Sequence, residues 1–85
     1  MAAYSVVIKR SAAKELEAVP KKDREKLVVK IQALATNPRP PGSEKLAGDD
    51  KYRIRHGVYR VLYEVDDATI VVVVVRVAHR REVYR

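Results

Sequence analysis

Tyr52-Arg53-Ile54-Arg55-His56-Gly57-Val58-Tyr59-Arg60-Val61-Leu62-Tyr63 is the stretch that decides how this chain folds. Side chains leave a strand alternately to opposite faces, so Tyr52 and Ile54 share one side while Arg53 and Arg55 share the other. The alternation breaks at His56-Gly57. It resumes with Tyr59, Val61, Tyr63 and Val65 on one face and Arg60, Leu62 and Glu64 on the opposite one. This pattern predicts a β-hairpin with one packed face and one cationic face. A turn at His56-Gly57 brings Arg60 close to Arg53 and Arg55, and like charges gathered on one sheet face repel each other. A chain that keeps them together is expected to hold them for something anionic.

Outward from the hairpin, the elements are short and few. Thr69 to Ala78 is nearly all valine and predicts a central strand covered on both faces. Tyr4 to Lys9 reads as a first strand. Ser11 is placed to cap a helix with Ala12, Leu16 and Val19 at helical spacing, ended by Pro20. A second helix starts there, with Leu27, Val28, Ile31, Leu34 and Ala35 as its apolar stripe and Lys22, Lys26 and Lys30 on the other side. Asn37-Pro38-Arg39-Pro40-Pro41-Gly42-Ser43 cannot continue a helix and reads as a stiff loop. Asp49-Asp50 and Asp66-Asp67 read as turns, and Arg80 to Arg85 as a short strand or one helical turn.

The resulting order is βααβββ: a single α+β domain over 1–85, with a helical hairpin packed on one face of a mostly antiparallel four-stranded sheet. If Arg76 shares the arginine face, Ile70, Val72 and Val74 share it too. That would leave an apolar strip to be covered by the C-terminal stub or a partner protein.

Lys and Arg number 18 against 11 Asp and Glu, a formal net charge of +7 that favours an acidic or nucleic-acid partner. After residue 50 every basic residue except Lys51 is arginine, whose planar fork grips phosphate at two points. With no cysteine, disulfides, thiolate metal sites and cysteine nucleophiles are excluded. The longest apolar run, Ile70 to Val75, is too short to cross a bilayer, and no signal peptide is apparent. A cytoplasmic protein without membrane contact, metal or small-molecule cofactor is expected.

The element order, together with Lys45-Leu46-Ala47-Gly48, Tyr52-Arg53-Ile54-Arg55, Gly57 to Tyr63 and Arg76-Val77-Ala78-His79-Arg80-Arg81-Glu82-Val83-Tyr84, resembles the RelE branch of the RelE/ParE toxin superfamily. The resemblance spans essentially the whole chain. It implies the toxin of a type II toxin–antitoxin pair, a ribosome-dependent endoribonuclease that cuts mRNA in the A site and is neutralised by a cognate antitoxin. It also implies site positions: the family's basic pair on Arg53 and Arg55, its strand arginine on Arg60, its later arginine on Arg80 and its C-terminal tyrosine on Tyr84. Where the best-known members carry lysines, this chain has Arg53 and Arg55, and arginine stays protonated, so neither is a general base. The alternative within the superfamily is a ParE-like toxin that inhibits DNA gyrase by binding, without chemistry.

Metal-free RNA cleavage needs the 2′-hydroxyl deprotonated, the phosphorane charge stabilised and the departing 5′ oxygen protonated. Arg53, Arg55, Arg60 and Arg80 suit the second task. Tyr84 is the first candidate for proton transfer, its phenol lowered by Arg80 or Arg81, and His79 the second. His56 reads as a turn residue, and Glu82 is a further local candidate. Lys51, Arg81 and the stripe Lys22, Lys26 and Lys30 are expected to meet RNA phosphates.

Overall fold

The computed structural model describes residues 3–46 and 50–79. Along the described chain run β1 (Ser5–Ile8), α1 (Arg10–Glu17), α2 (Lys21–Ala33), β2 (Glu44–Lys45), β3 (Lys51–His56), β4 (Tyr59–Asp66) and β5 (Val71–His79). They form one sheet in the order β1-β5-β4-β3-β2, antiparallel except where β1 lies beside β5. The α+β class and the helical hairpin on one face are as expected. The strand count is not: β2 adds a fifth strand that the four-stranded reading lacks, because two residues carry no period to read.

Helix α1 starts without the expected Ser11 cap. Lys9 holds the N-cap position with no side-chain bond, and its carbonyl accepts the N–H of Ala13 at 2.9 Å. Pro20 occupies the corresponding position before α2, where its missing N–H costs nothing and its carbonyl accepts from Arg24 at 2.8 Å. Ala12 and Leu16 from the first helix, Val19 from the turn after it, and Leu27, Ile31 and the C-cap Leu34 of the second are buried against Tyr52, Ile54, Val61, Tyr63, Val65, Val72, Val74 and Val77. Alternation in β3 and β4 thus puts every expected core position on the helix side.

In β5 the alternation is interrupted. Leu62 pairs with Arg76 but Tyr63 pairs with Val74, which leaves Val75 as an extra residue, a β-bulge. The bulge reverses parity, so Val72 and Val74 face the core before it and Val77 after it. The expected strip of Ile70, Val72 and Val74 beside Arg76 is therefore corrected: Val72 and Val74 are fully buried, and the open face carries the half-buried Val71 and Val73 instead. Nor is β5 covered on both faces, since its residues up to the bulge alternate between buried and half-buried.

Two turns and a loop fix the hairpins. Gly57 has φ +59° at the first position of the two-residue loop joining His56 to Tyr59, the conformation that a II′ turn demands there. Asp66 Oδ1 accepts the N–H groups of Ala68 and Thr69 at 3.0 and 3.2 Å, so the acidic pair is a turn, as read. The proline loop is stapled to the sheet from both sides. The Tyr63 phenol, buried and pushed up in pKa by that burial, donates to the Pro38 carbonyl at 2.7 Å. Arg39 donates through Nε to the Tyr52 hydroxyl at 2.9 Å and through Nη1 and Nη2 to Asp67 at 3.2 and 2.8 Å. Its guanidinium lies 5.1 Å from the centre of the Tyr52 ring, which itself stacks on Tyr63.

Candidate functional site

On the sheet face away from the helices, β3 and β4 place Arg55 directly opposite Arg60, and Arg53 opposite Leu62. Directly opposed residues have Cβ atoms about 5 Å apart, so the cross-strand arginine pair is a repulsion built into the hairpin. Edge strand β2 answers it. Glu44 pairs with Arg53, and its Oε1 accepts a hydrogen bond from Arg53 Nη2 at 2.9 Å and forms an ion pair with Arg55 Nη2 at 3.2 Å. The hydrogen bond from Arg53, then its charge, and further the charges of Arg55 and Arg60, hold the Glu44 carboxyl below the usual glutamate range.

The three arginines differ in access. The Arg55 side chain is 51% exposed, that of Arg53 is 14% exposed, and Arg60 as a residue is 6% exposed. Next to Arg60 on β5 stands Ala78, which presents only a methyl group. Lys51 projects from β3 to the same face, opposite Glu64. Arginine holds its charge at any working pH, so this face can grip a phosphodiester and stabilise added charge on its oxygens, but cannot take up a proton through these groups.

Both histidines lie elsewhere. His79 pairs with Tyr59 and meets its ring edge-on at 5.7 Å, on the helix side of the sheet. His56 leaves β3 on that same side, with Nε2 3.3 Å from Asp23 Oδ1 of α2. The sheet thus brings Arg53, Arg55 and Arg60 together and separates His79 from them. Arg80, Arg81, Glu82 and Tyr84 lie outside the described residues, so their expected places in the site are not part of this geometry.

The lysine stripe is exposed along α2, and its last member does structural work too: Lys30 Nζ donates to the Arg55 carbonyl at 2.9 Å. A basic belt therefore runs from Lys22 and Lys26 to the backbone of the arginine strand. Arg76 has its Nε 3.7 Å from Glu15 Oε2, and the same carboxylate accepts the Val77 N–H at 2.9 Å. Two contributors escaped the sequence reading. Glu44 sits on a strand too short to show a pattern. Arg39 is an anchor of the proline loop, marked in the sequence only by the prolines around it. Among the described residues no cluster of three His, Cys, Asp or Glu side chains could hold a metal ion, and no helix is long and apolar enough to cross a membrane.

Comparison with known proteins agrees with this architecture. The family model for the ParE toxin of type II toxin–antitoxin systems, parDE, matches residues 6–84. Toxin RelG of Mycobacterium tuberculosis is 44% identical over 45 residues, which cover 53% of this chain and 49% of that toxin; the match spans about half the length of this curated relative. Among solved structures, the isolated RelE toxin of E. coli superposes with a TM-score of 0.80 at 34% identity, covering 96% of this chain and 92% of that one. A chain of the archaeal RelE–RelB complex from Pyrococcus horikoshii superposes with a TM-score of 0.85 at 29% identity, covering 94% and 98%.

Proposed function

The chain belongs to the RelE/ParE toxin superfamily of type II toxin–antitoxin systems, in its RelE branch, and from that premise we propose that it is a ribosome-dependent endoribonuclease cleaving mRNA in the A site. The observation that carries the proposal is the cross-strand pair Arg55–Arg60 with Arg53 beside it, of which Arg53 and Arg55 meet one carboxylate. Such a group suits a phosphodiester whose charge grows during reaction.

In this mechanism the 2′ oxygen loses its proton and bonds to the adjacent phosphorus, and the bond from phosphorus to the 5′ oxygen breaks. The products are a 2′,3′-cyclic phosphate and a 5′-hydroxyl. Arg53, Arg55 and Arg60, joined by Arg80, hold the phosphate in line and neutralise the phosphorane. Tyr84, four and three residues after Arg80 and Arg81, takes up the 2′ proton, and the departing 5′ oxygen gains its proton from water. His79 is given no such role, because it leaves β5 on the helix side against Tyr59. Lys22, Lys26, Lys30, Lys51 and Arg81 bind flanking phosphates, placing the enzyme on a ribosome that supplies much of the positioning. A cognate antitoxin, of the kind named in the RelE–RelB complex, restrains it in the cytoplasm.

Primer extension on cellular mRNA after expression tests the reading. Cuts within translated codons are expected, and they should vanish with Arg55→Ala. That residue is more exposed than Arg60, so its loss is the safer one for folding. A second reading, binding inhibition of DNA gyrase, is favoured by the ParE name of the matching family model. Intact message accompanied by stalled gyrase would establish that reading and remove the nuclease.

A further inference from the structure

Glu44 has no place in the cleavage scheme, yet it is the acidic group among the charges it meets. Its Oε1 takes a hydrogen bond from Arg53 Nη2 at 2.9 Å and meets Arg55 Nη2 as an ion pair at 3.2 Å, and the carboxylate itself is 49% exposed. A carboxylate and a phosphodiester are both monoanions offering oxygens at similar spacing, and arginine binds either through the same donors. Resting on the nuclease reading, we propose that Glu44 is the selectivity residue of the arginine site. It is an internal stand-in for phosphate that an incoming RNA strand must displace, so free RNA is held poorly and RNA delivered in place is held well.

Two effects of opposite sign meet at this residue. As a tether, Glu44 draws Arg53 and Arg55 together against their mutual repulsion, which would help phosphate bind. As a competitor, it occupies the donors that phosphate needs and cancels part of the field that attracts RNA. The geometry favours competition. Arg53 and Arg60 are positioned by burial in the sheet with or without the tether, whereas the two donors on Glu44 are the ones that end at its exposed oxygen. Glu44 also lies on a two-residue edge strand at the rim of the sheet, and its half-exposed side chain can swing aside by rotamer change at little cost.

The test is equilibrium binding of a short, fluorescently labelled, 2′-O-methylated single-stranded RNA, which cannot be cut, to the full chain. Glu44→Gln keeps the shape and one acceptor but removes the charge, and should tighten binding roughly twofold to fivefold, the upper part of the range expected for one surface charge pair. The gain should disappear when Arg55→Ala is already present. Glu17→Gln, the same charge change at the end of α1, should give little. Unchanged or weaker binding in Glu44→Gln overturns the proposal, as does an equal gain in the Arg55→Ala background or from Glu17→Gln. If wild-type protein cuts message yet Glu44→Gln gains nothing, the nuclease stands and the stand-in role falls. If message stays intact while the gain is seen and needs Arg55, Glu44 still guards an anion site and the nuclease reading is what fails.

Discussion

Two arginine–carboxylate contacts in this molecule look alike on paper and do opposite things. At the proline loop one guanidinium meets one carboxylate through two donors, has an aromatic ring beneath it and bonds a phenol with its remaining Nε. On the open sheet face one carboxylate is shared between two guanidiniums, and a third arginine stands directly across from one of them. The first arrangement satisfies its donors inside the fold. The second divides one acceptor between two donors, and its charge is directed outward. Counting arginines does not reveal function; the ratio of donors to acceptors at each one does.

That contrast can be broken most sharply by paired substitutions. Arg55→Ala should lower mRNA cleavage roughly a hundredfold, as loss of one donor to a developing oxyanion does, and leave stability within about 0.5 kcal/mol. Primer-extension rates and urea melts on the same preparations would check it. Arg39→Ala should do the reverse, costing about 1–2 kcal/mol in a urea melt through lost hydrogen bonds and ring contact while cleavage is unchanged. If both variants lost activity and stability together, the two contacts would not be separate in kind. Tyr63→Phe probes the same loop from the buried side: losing the bond to the Pro38 carbonyl should cost about 1 kcal/mol, again with cleavage intact.

Acid gives the smallest and most specific separation. Asp67 is held below its ordinary value of 3.8, chiefly by its hydrogen bond from Arg39, with a further bond from Tyr4. A depressed carboxyl contributes stability above its unfolded pKa, and that contribution is lost as pH falls through the lowered folded value. Melting temperatures should therefore drop as pH is taken below about 4, the usual carboxylate range, and the drop should be shallower in Asp67→Asn.

Much of this was legible in the chain, for reasons specific to particular residues. Alternating Tyr, Arg, Ile and Arg at 52–55 mark a strand, a packed face and a cationic face at once, and the stripe through Leu27 and Ile31 marks its covering helix. The valine run was opaque because identical side chains hide parity: nothing in Val71 to Val75 says where the register slips. Glu44 was opaque for a different reason, since its importance comes from a partner strand that aligns it with Arg53, a long-range fact absent from local pattern. His79 shows the cost of both. Proximity in sequence to the arginine cluster suggested a shared task, whereas register sends its ring to the side of Tyr59.

The slipped residue at Val75 also makes the protein unusually tolerant of a change that most strands bear poorly and most loops ignore, the removal of one amino acid. Deleting any one valine of the run would restore unbroken alternation, and if the valines before the slip kept their places, Arg76 would stay on the open face and Val77 in the core. A lineage could thus lose one codon of the run and keep both the packed side and the arginine side of the sheet.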